Sequence, residues 1–118
     1  MSTQEVAEKL VALCREGKNL DAINELYSDN IVSHESMGDH QEVTGKQDVI
    51  EKNQGWFSSV EELHDANVSD PLVAGDFFTV SMMYDVTYKE SGRMKMEEIA
   101  LYEVKNGQVM MEHFFYGM

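Results

Sequence analysis

Two glutamates interrupt runs that are otherwise nearly apolar. Glu98 lies in Met96-Glu97-Glu98-Ile99-Ala100-Leu101-Tyr102, and Glu112 lies in Met110-Met111-Glu112-His113-Phe114-Phe115-Tyr116. A carboxylate in such a run either pairs with a cation or has its pKa raised by desolvation, and raised carboxyls serve as proton donors and bases. The bland reading of Glu98 is a hydrogen-bonded structural glutamate. For Glu112 it is a solvent-facing side chain, or one bound to Lys95 or Lys105. A third carboxyl, Glu35, adjoins His34, so on a strand the two point to opposite faces and only one can enter a pocket. Trp56, Tyr84, Tyr102, Phe114 and Tyr116, with Met82, Met94, Met96 and Met110, offer aromatic and thioether surface for an adaptable apolar ligand, although core filling accounts for most such residues. His34, His40 and His64 fall on different elements without a ligand spacing, so neither a metal nor a cofactor is expected.

The elements that must position these groups follow from period and punctuation. Ser2 and Glu5 have capping-box spacing, and Val6, Leu10, Leu13 and Cys14 continue a helical stripe, predicting a helix over 3–16 that Gly17 stops. Asn19 can cap a short second helix carrying Leu20, Ile23, Leu26 and Tyr27; Ser28-Asp29-Asn30 reads as a turn, and 31–35 as a strand. Residues 36–45 read as irregular. A third helix over 46–60 places Val49, Ile50, Asn53, Trp56, Phe57 and Val60 on one stripe. Beyond it the period becomes two, with Phe78, Val80, Met82, Tyr84, Val86 and Tyr88 on one face. Turn signals at Ala74-Gly75-Asp76, Glu90-Ser91-Gly92 and Asn106-Gly107 divide the remainder into strands near 62–73, 77–89, 93–104 and 108–116, an antiparallel meander. Helices first and hairpins afterwards make an α+β fold: about three N-terminal helices packed on a curved antiparallel sheet.

The last hairpin decides which side chains accompany Glu98. A two-residue turn at Asn106-Gly107 sets Val109, Met111, His113 and Phe115 on its face, with His113 as the partner of Glu98. A three-residue turn with a glycine bulge slips the pairing by one and presents Met110, Glu112, Phe114 and Tyr116.

Length and charge bound the rest. The 118 residues suit one domain with one core, spanning 1–118. Nine Lys and Arg stand against 22 Asp and Glu, a net charge of −13 that repels phosphate backbones and anionic lipid, so nucleic acid and membranes are excluded as partners. Cys14 has no second cysteine to pair with and lies in an apolar stripe, which gives it a core role. No basic-then-apolar leader opens the chain, and a cytoplasmic location is expected.

Tyr27-Ser28-Asp29-Asn30-Ile31 after helix two, the Gly45-Lys46 helix start and Tyr102-Glu103-Val104-Lys105-Asn106-Gly107-Gln108-Val109 near the end, in this order, resemble the SnoaL-like group of the nuclear transport factor 2-like superfamily. The likeness spans nearly the whole chain and implies a cystatin-like roll with a cone-shaped pocket between helices and sheet. Such pockets serve isomerases, cyclases, dehydratases, hydrolases and plain binding proteins, so side chains must choose among them. The ketosteroid isomerase pattern puts its general base at Glu35, but its oxyanion carboxyl and tyrosine would fall at Ala100 and Val11. The cyclase His and Asp would fall at Ala100 and Phe114, and an epoxide hydrolase arginine has only Arg15 and Arg93 to draw on. The resemblance also turns Met96, Glu98, Ala100 and Tyr102 toward the cavity, and it favours the bulged register, with Glu112 and Phe114 on the wall. Glu98 and Glu112 would then be near neighbours that titrate together, one holding a proton near neutral pH.

Three functions follow as expectations. One is a small enzyme moving a proton on an apolar, carbonyl-bearing molecule, with Glu98 and Glu112 sharing acid–base duty, Glu35 as another base, and Tyr102 or Tyr116 bonding an oxygen. The second is a non-catalytic domain whose cavity, with Trp56, Met82, Tyr84 and Phe114 on its walls, takes a small apolar molecule. The third is a homodimer through the outer sheet face, where Ile99 and Leu101, beside Val109, Met111 and Phe115 in the bulged register, make more apolar surface than water tolerates.

Overall fold

The computed structural model describes residues 1–36 and 41–116. Helix α1, Thr3–Arg15, opens on the expected capping box: the Ser2 hydroxyl accepts from the Glu5 N–H, and the Glu5 carboxylate accepts from the Ser2 N–H, each at 3.1 Å. Its buried stripe is Val6, Ala7, Leu10 and Val11. Gly17, at φ 75°, ends it by letting the Lys18 N–H return to the Leu13 carbonyl at 2.8 Å. Helix α2, Asn19–Leu26, starts without a side-chain cap; Lys18 holds the cap position and Asn19 is already helical, one step from where the cap was expected.

Strand β1, Tyr27–Glu35, absorbs the expected turn. Between the Tyr27–Val109 and Val32–Met111 pairs it advances five residues while its neighbour advances two. The Ser28 hydroxyl accepts from the Asn30 N–H at 3.2 Å inside this irregularity. The turn-forming residues therefore make a bulge in a continuing strand. Short β2, Glu42–Thr44, pairs with β1 inside the segment read as irregular. Helix α3, Lys46–Ser59, follows Gly45.

Next come β3, Val60–Val68, and β4, Leu72–Ala74, in place of the single strand expected over 62–73; the break falls at Ser69-Asp70-Pro71. Proline has no N–H for the ladder, and Ser69 spans the gap by exchanging bonds with Ser81 at 2.8 and 2.9 Å. Strands β5, Phe77–Tyr88, β6, Gly92–Lys105, and β7, Gln108–Phe115, form the expected antiparallel meander.

The seven strands make one sheet in the order β2-β1-β7-β6-β5-β3, with β4 also on β5. It is mixed, because β1 runs parallel to β7. Parallel neighbours need a long crossover, and the chain between β1 and β7 supplies one. The three helices pack on the inner face, where Leu10, Leu26, Ile31, Phe78, Val80 and Tyr102 belong to one core. Among the described residues no helix is long and apolar enough to cross a membrane.

The last hairpin combines features of both expected registers. Asn106 and Gly107, at φ 54° and 75°, form a two-residue turn that pairs Lys105 with Gln108 and Val104 with Val109. The extra residue, Met110, comes later, between the Val104–Val109 and Glu103–Met111 pairs. Tyr102 therefore pairs with Glu112 and Ala100 with Phe114, as in the bulged register. Val109 does not join the outer face: lying before the bulge, it is fully buried in the core.

Candidate functional site

Between the helices and the inner sheet face lies a cavity of about 230 Å³. Its helical side is made by Leu10 and Cys14 of α1, Asn19, Ala22 and Ile23 of α2, and Lys52, Asn53, Trp56 and Phe57 of α3. Its sheet side brings in Tyr27 and Glu35 from β1, Met82 and Tyr84 from β5, Met96, Glu98 and Tyr102 from β6, and Glu112 and Phe114 from β7, with Tyr116 just beyond. Glu98, Glu112 and Glu35 and the wall candidates Trp56, Met82, Tyr84, Met96, Tyr102, Phe114 and Tyr116 thus reach one space, whereas Met94, which is 46% exposed, and Met110, the extra residue of the β7 bulge, do not line it. The sheet brings four strands side by side, so alternate residues of each share the wall.

A chain of hydrogen bonds runs along that wall. Glu112 is 1% exposed; one oxygen accepts from the Tyr27 hydroxyl and the other from the Ser33 hydroxyl at 2.6 Å. The Lys52 ammonium donates to Ser33 Oγ at 2.6 Å and to Glu35 Oε1 at 2.9 Å. An ammonium can only donate, so the Ser33 oxygen accepts from Lys52 and its O–H donates to Glu112. Lys52 thereby bonds Glu35 directly and acts on Glu112 through Ser33. The two candidate cations for Glu112 lie elsewhere: Lys95 beside Glu97 at 3.8 Å and Lys105 beside Asp76 at 3.6 Å.

Glu98 stands outside this chain. Burial pushes its carboxyl up to about 7, and the charges of Glu35 and then Glu112 push the same way against Lys52. Its stronger carboxyl neighbour is thus Glu35, rather than the Glu112 expected from strand position. Burial also raises Glu112, against the hydrogen bonds of Ser33 and Tyr27 and the charge of Lys52, which favour the anion. Desolvation pushes the Tyr27 and Tyr102 hydroxyls well above their ordinary range and both Tyr84 and the Cys14 thiol to about 12, so these groups keep their protons at neutral pH.

Residues 1–116 match the profile of the SnoaL-like domain. The chain belongs to the SnoaL-like family. Comparison with curated proteins finds no match. A solved structure from Mesorhizobium loti, provisionally described as a SnoaL-like polyketide cyclase and carbohydrate phosphatase, is 36% identical, covers 98% of this chain and 100% of its own, and superposes with a TM-score of 0.93. A cystatin-like protein of unknown function from Xanthomonas campestris is 12% identical over 100% of this chain and 92% of that one, with a TM-score of 0.83. A protein with a ketosteroid isomerase-like fold from Catenulispora acidiphila, in complex with trimethylamine, is 16% identical over 97% of this chain and 86% of that one, with a TM-score of 0.75. The last two likenesses concern the fold alone.

The SnoaL-like chain keeps the apolar substitutions that separate it from the better-known sites. Ala100 and Val11 are core residues, 0% and 3% exposed. Neither arginine lines the cavity: Arg15 bonds the Val68 carbonyl and Asp70, and Arg93 bonds Asp85. His113 stacks on Phe115 at 4.0 Å and lies 5.3 Å from His34 in ring-centroid separation, away from the cavity lining, so it is no partner for Glu98. His64 pairs with Glu62 and Thr87, and His40 lies outside the described residues.

Sequence reasoning missed Lys52, Ser33 and Tyr27. Lys52 shares a helical stripe with Val49, Asn53 and Trp56, at the i, i+3, i+4, i+7 spacing that marked the apolar face. Ser33 is two residues before Glu35, and strand period puts both on one side. Tyr27 carries no such signal, because its spacing from Leu20 and Ile23 fits the last turn of a helix.

Proposed function

We propose that this cavity carries out general acid–base proton transfer, of isomerase, cyclase or dehydratase type, on a small apolar carbonyl compound. The observation that carries the reading is Glu98: a carboxyl on a mostly apolar wall whose titration, at about 7, falls where a group can both take and return a proton. Glu98 removes the proton next to the carbonyl, the C–H electron pair moves into the adjoining bond, and the same carboxyl delivers the proton to another carbon. Glu35 is a second base held by Lys52, and Glu112 holds the Ser33 and Tyr27 hydroxyls in place behind it. Tyr102 or Tyr116 bonds an oxygen of the substrate, and Trp56, Met82, Tyr84 and Phe114 form its apolar walls. A ~150 Å³ cavity holds benzene, so this one suits roughly nine non-hydrogen atoms.

The test is proton–deuterium exchange into small ketones and enones, followed by NMR in heavy water. Glu98→Gln is expected to slow exchange at least about a hundredfold while the protein stays folded; an equally active variant would reject the assignment.

A second reading, a non-catalytic domain that binds a small apolar molecule, draws support from Glu35 and Glu112, both already engaged by neighbouring side chains. Ligand affinity without turnover, unchanged when all three carboxyls are neutralised, would favour it. Either reading accommodates a homodimer through the outer face, where Ile99 and Phe115 are 46% and 45% exposed beside Leu101 and Met111. The free, mostly buried Cys14 thiol suits a reducing, cytoplasmic setting.

A further inference from the structure

Proton abstraction beside a carbonyl builds negative charge on its oxygen, and an electrostatic partner aimed at that oxygen is commonly the largest catalytic contribution. The positions that supply it in ketosteroid isomerases are Ala100 and Val11 here, and neither can donate. Several donors around the cavity are engaged elsewhere. The Trp56 ring N–H bonds the Tyr88 hydroxyl at 3.1 Å, Tyr27 bonds Glu112, and Asn53 bonds the Val49 carbonyl at 2.9 Å.

Lys52 is different. It carries the only positive charge among the described lining residues, and its ammonium has three N–H groups. Ser33 and Glu35 account for two of them, at 2.6 and 2.9 Å. Those two bonds, with the Phe114 ring centroid 5.6 Å from Nζ, hold the ammonium at the wall, and the side chain is 22% exposed. An ammonium fixed by two neighbours in this way needs little reorganisation to meet an oxygen.

We infer that Lys52 is a catalytic residue, its third N–H holding the substrate's carbonyl oxygen as negative charge develops there. The inference rests on the proton-transfer reading and adds its electrophile. Glu98 takes the proton, the C–H pair becomes the enolate double bond, and the carbonyl π pair moves onto the oxygen facing Lys52. The reverse flow returns the proton from Glu98 to the second carbon and restores the carbonyl, with no other reactant consumed. Glu35 and Ser33 are positioning residues in this scheme.

A phenolate mimics the enolate, and 4-nitrophenol, with about ten non-hydrogen atoms, is close to the size the cavity suggests. Its yellow phenolate band reports which form is bound. Titrated across the ionisation of the free phenol, the wild-type protein is expected to bind the phenolate more tightly than the phenol by roughly ten- to a hundredfold, the range for a hydrogen bond to a charged group. Lys52→Met should lose that preference while still binding 4-nitrophenol. In wild-type protein labelled with ¹⁵N-lysine, the Lys52 Nζ resonance should move on addition of the probe, a readout that does not depend on any variant folding. Absence of phenolate binding, equal affinity for the two forms, an unmoved Nζ resonance, or an undiminished preference in Lys52→Met would each overturn the inference. Exchange activity surviving in Glu98→Gln would instead overturn the proton-transfer reading, leaving the phenolate titration as it was.

Discussion

Replacing Glu98 by glutamine should make the folded protein more stable at neutral and alkaline pH while weakening its chemistry. Glutamine has the shape and neutrality of the protonated side chain. Burial, with Glu35 and Glu112 adding to it, raises this carboxyl from its ordinary 4.5 to about 7. The folded state therefore keeps the proton to higher pH than the unfolded chain does. Stability from Glu98 is fully present below the unfolded pKa, declines as pH rises between about 4.5 and about 7, and is gone above that window. At ~1.4 kcal/mol per pH unit, ionising the folded side chain costs about 3 kcal/mol, and partial exposure to the cavity reduces this to ~2–3 kcal/mol. The assay is urea unfolding of both proteins at a series of pH values. The variant should match the wild type near pH ~4 and exceed it by ~2–3 kcal/mol near pH ~8, with Tm higher by roughly 10 °C at the upper end. A stability difference that does not change with pH would refute the argument, because it would mean that Glu98 titrates alike in the folded and unfolded states.

Two further outcomes test the surroundings of the cavity. Glu112→Ala leaves the Tyr27 and Ser33 hydroxyls without their carboxylate acceptor and opens a void, at a cost of about 3–5 kcal/mol; a loss below about 1 kcal/mol by chemical denaturation would mean that the chain of bonds is not maintained in solution. The wild-type protein should sediment as a dimer at micromolar concentration and the double variant Ile99→Lys, Phe115→Lys as a monomer; a monomeric wild type removes the outer face as an interface.

Much of the architecture was legible because its signals are local. The Ser2–Glu5 capping box, the 3.6-residue stripe of α1 and the strict alternation from Phe78 to Tyr88 depend on side chains a few positions apart, and each produced the expected element. The misses involved choices between local and distant bonding. Ser28-Asp29-Asn30 has the composition of a turn, yet Tyr27 before it and Val32 after it both pair with β7, so the triplet is carried as an unpaired bulge within one strand. Pro71 interrupts the strand before β5 because a ladder position without an N–H cannot be filled by propensity.

The candidate carboxyls were likewise visible as charges set in apolar runs, and period two was enough to give each strand an inner and an outer face. Their relationship was not visible. The bulge at Met110 turns Val109, Glu112 and Phe114 to the same face, and a slip of one residue would have exchanged Glu112 for His113. Lys52 has the helical spacing of the inward stripe of α3, but only the packing of α3 against β1 brings its ammonium to Ser33 and Glu35. The sequence by itself determined the elements, their order and the alternation that makes one sheet face apolar, because these depend on short-range periodicity. The tertiary structure decided which carboxyl is tied down, which is left to titrate and which cation serves them, because electrostatics depends on distance through space and on burial.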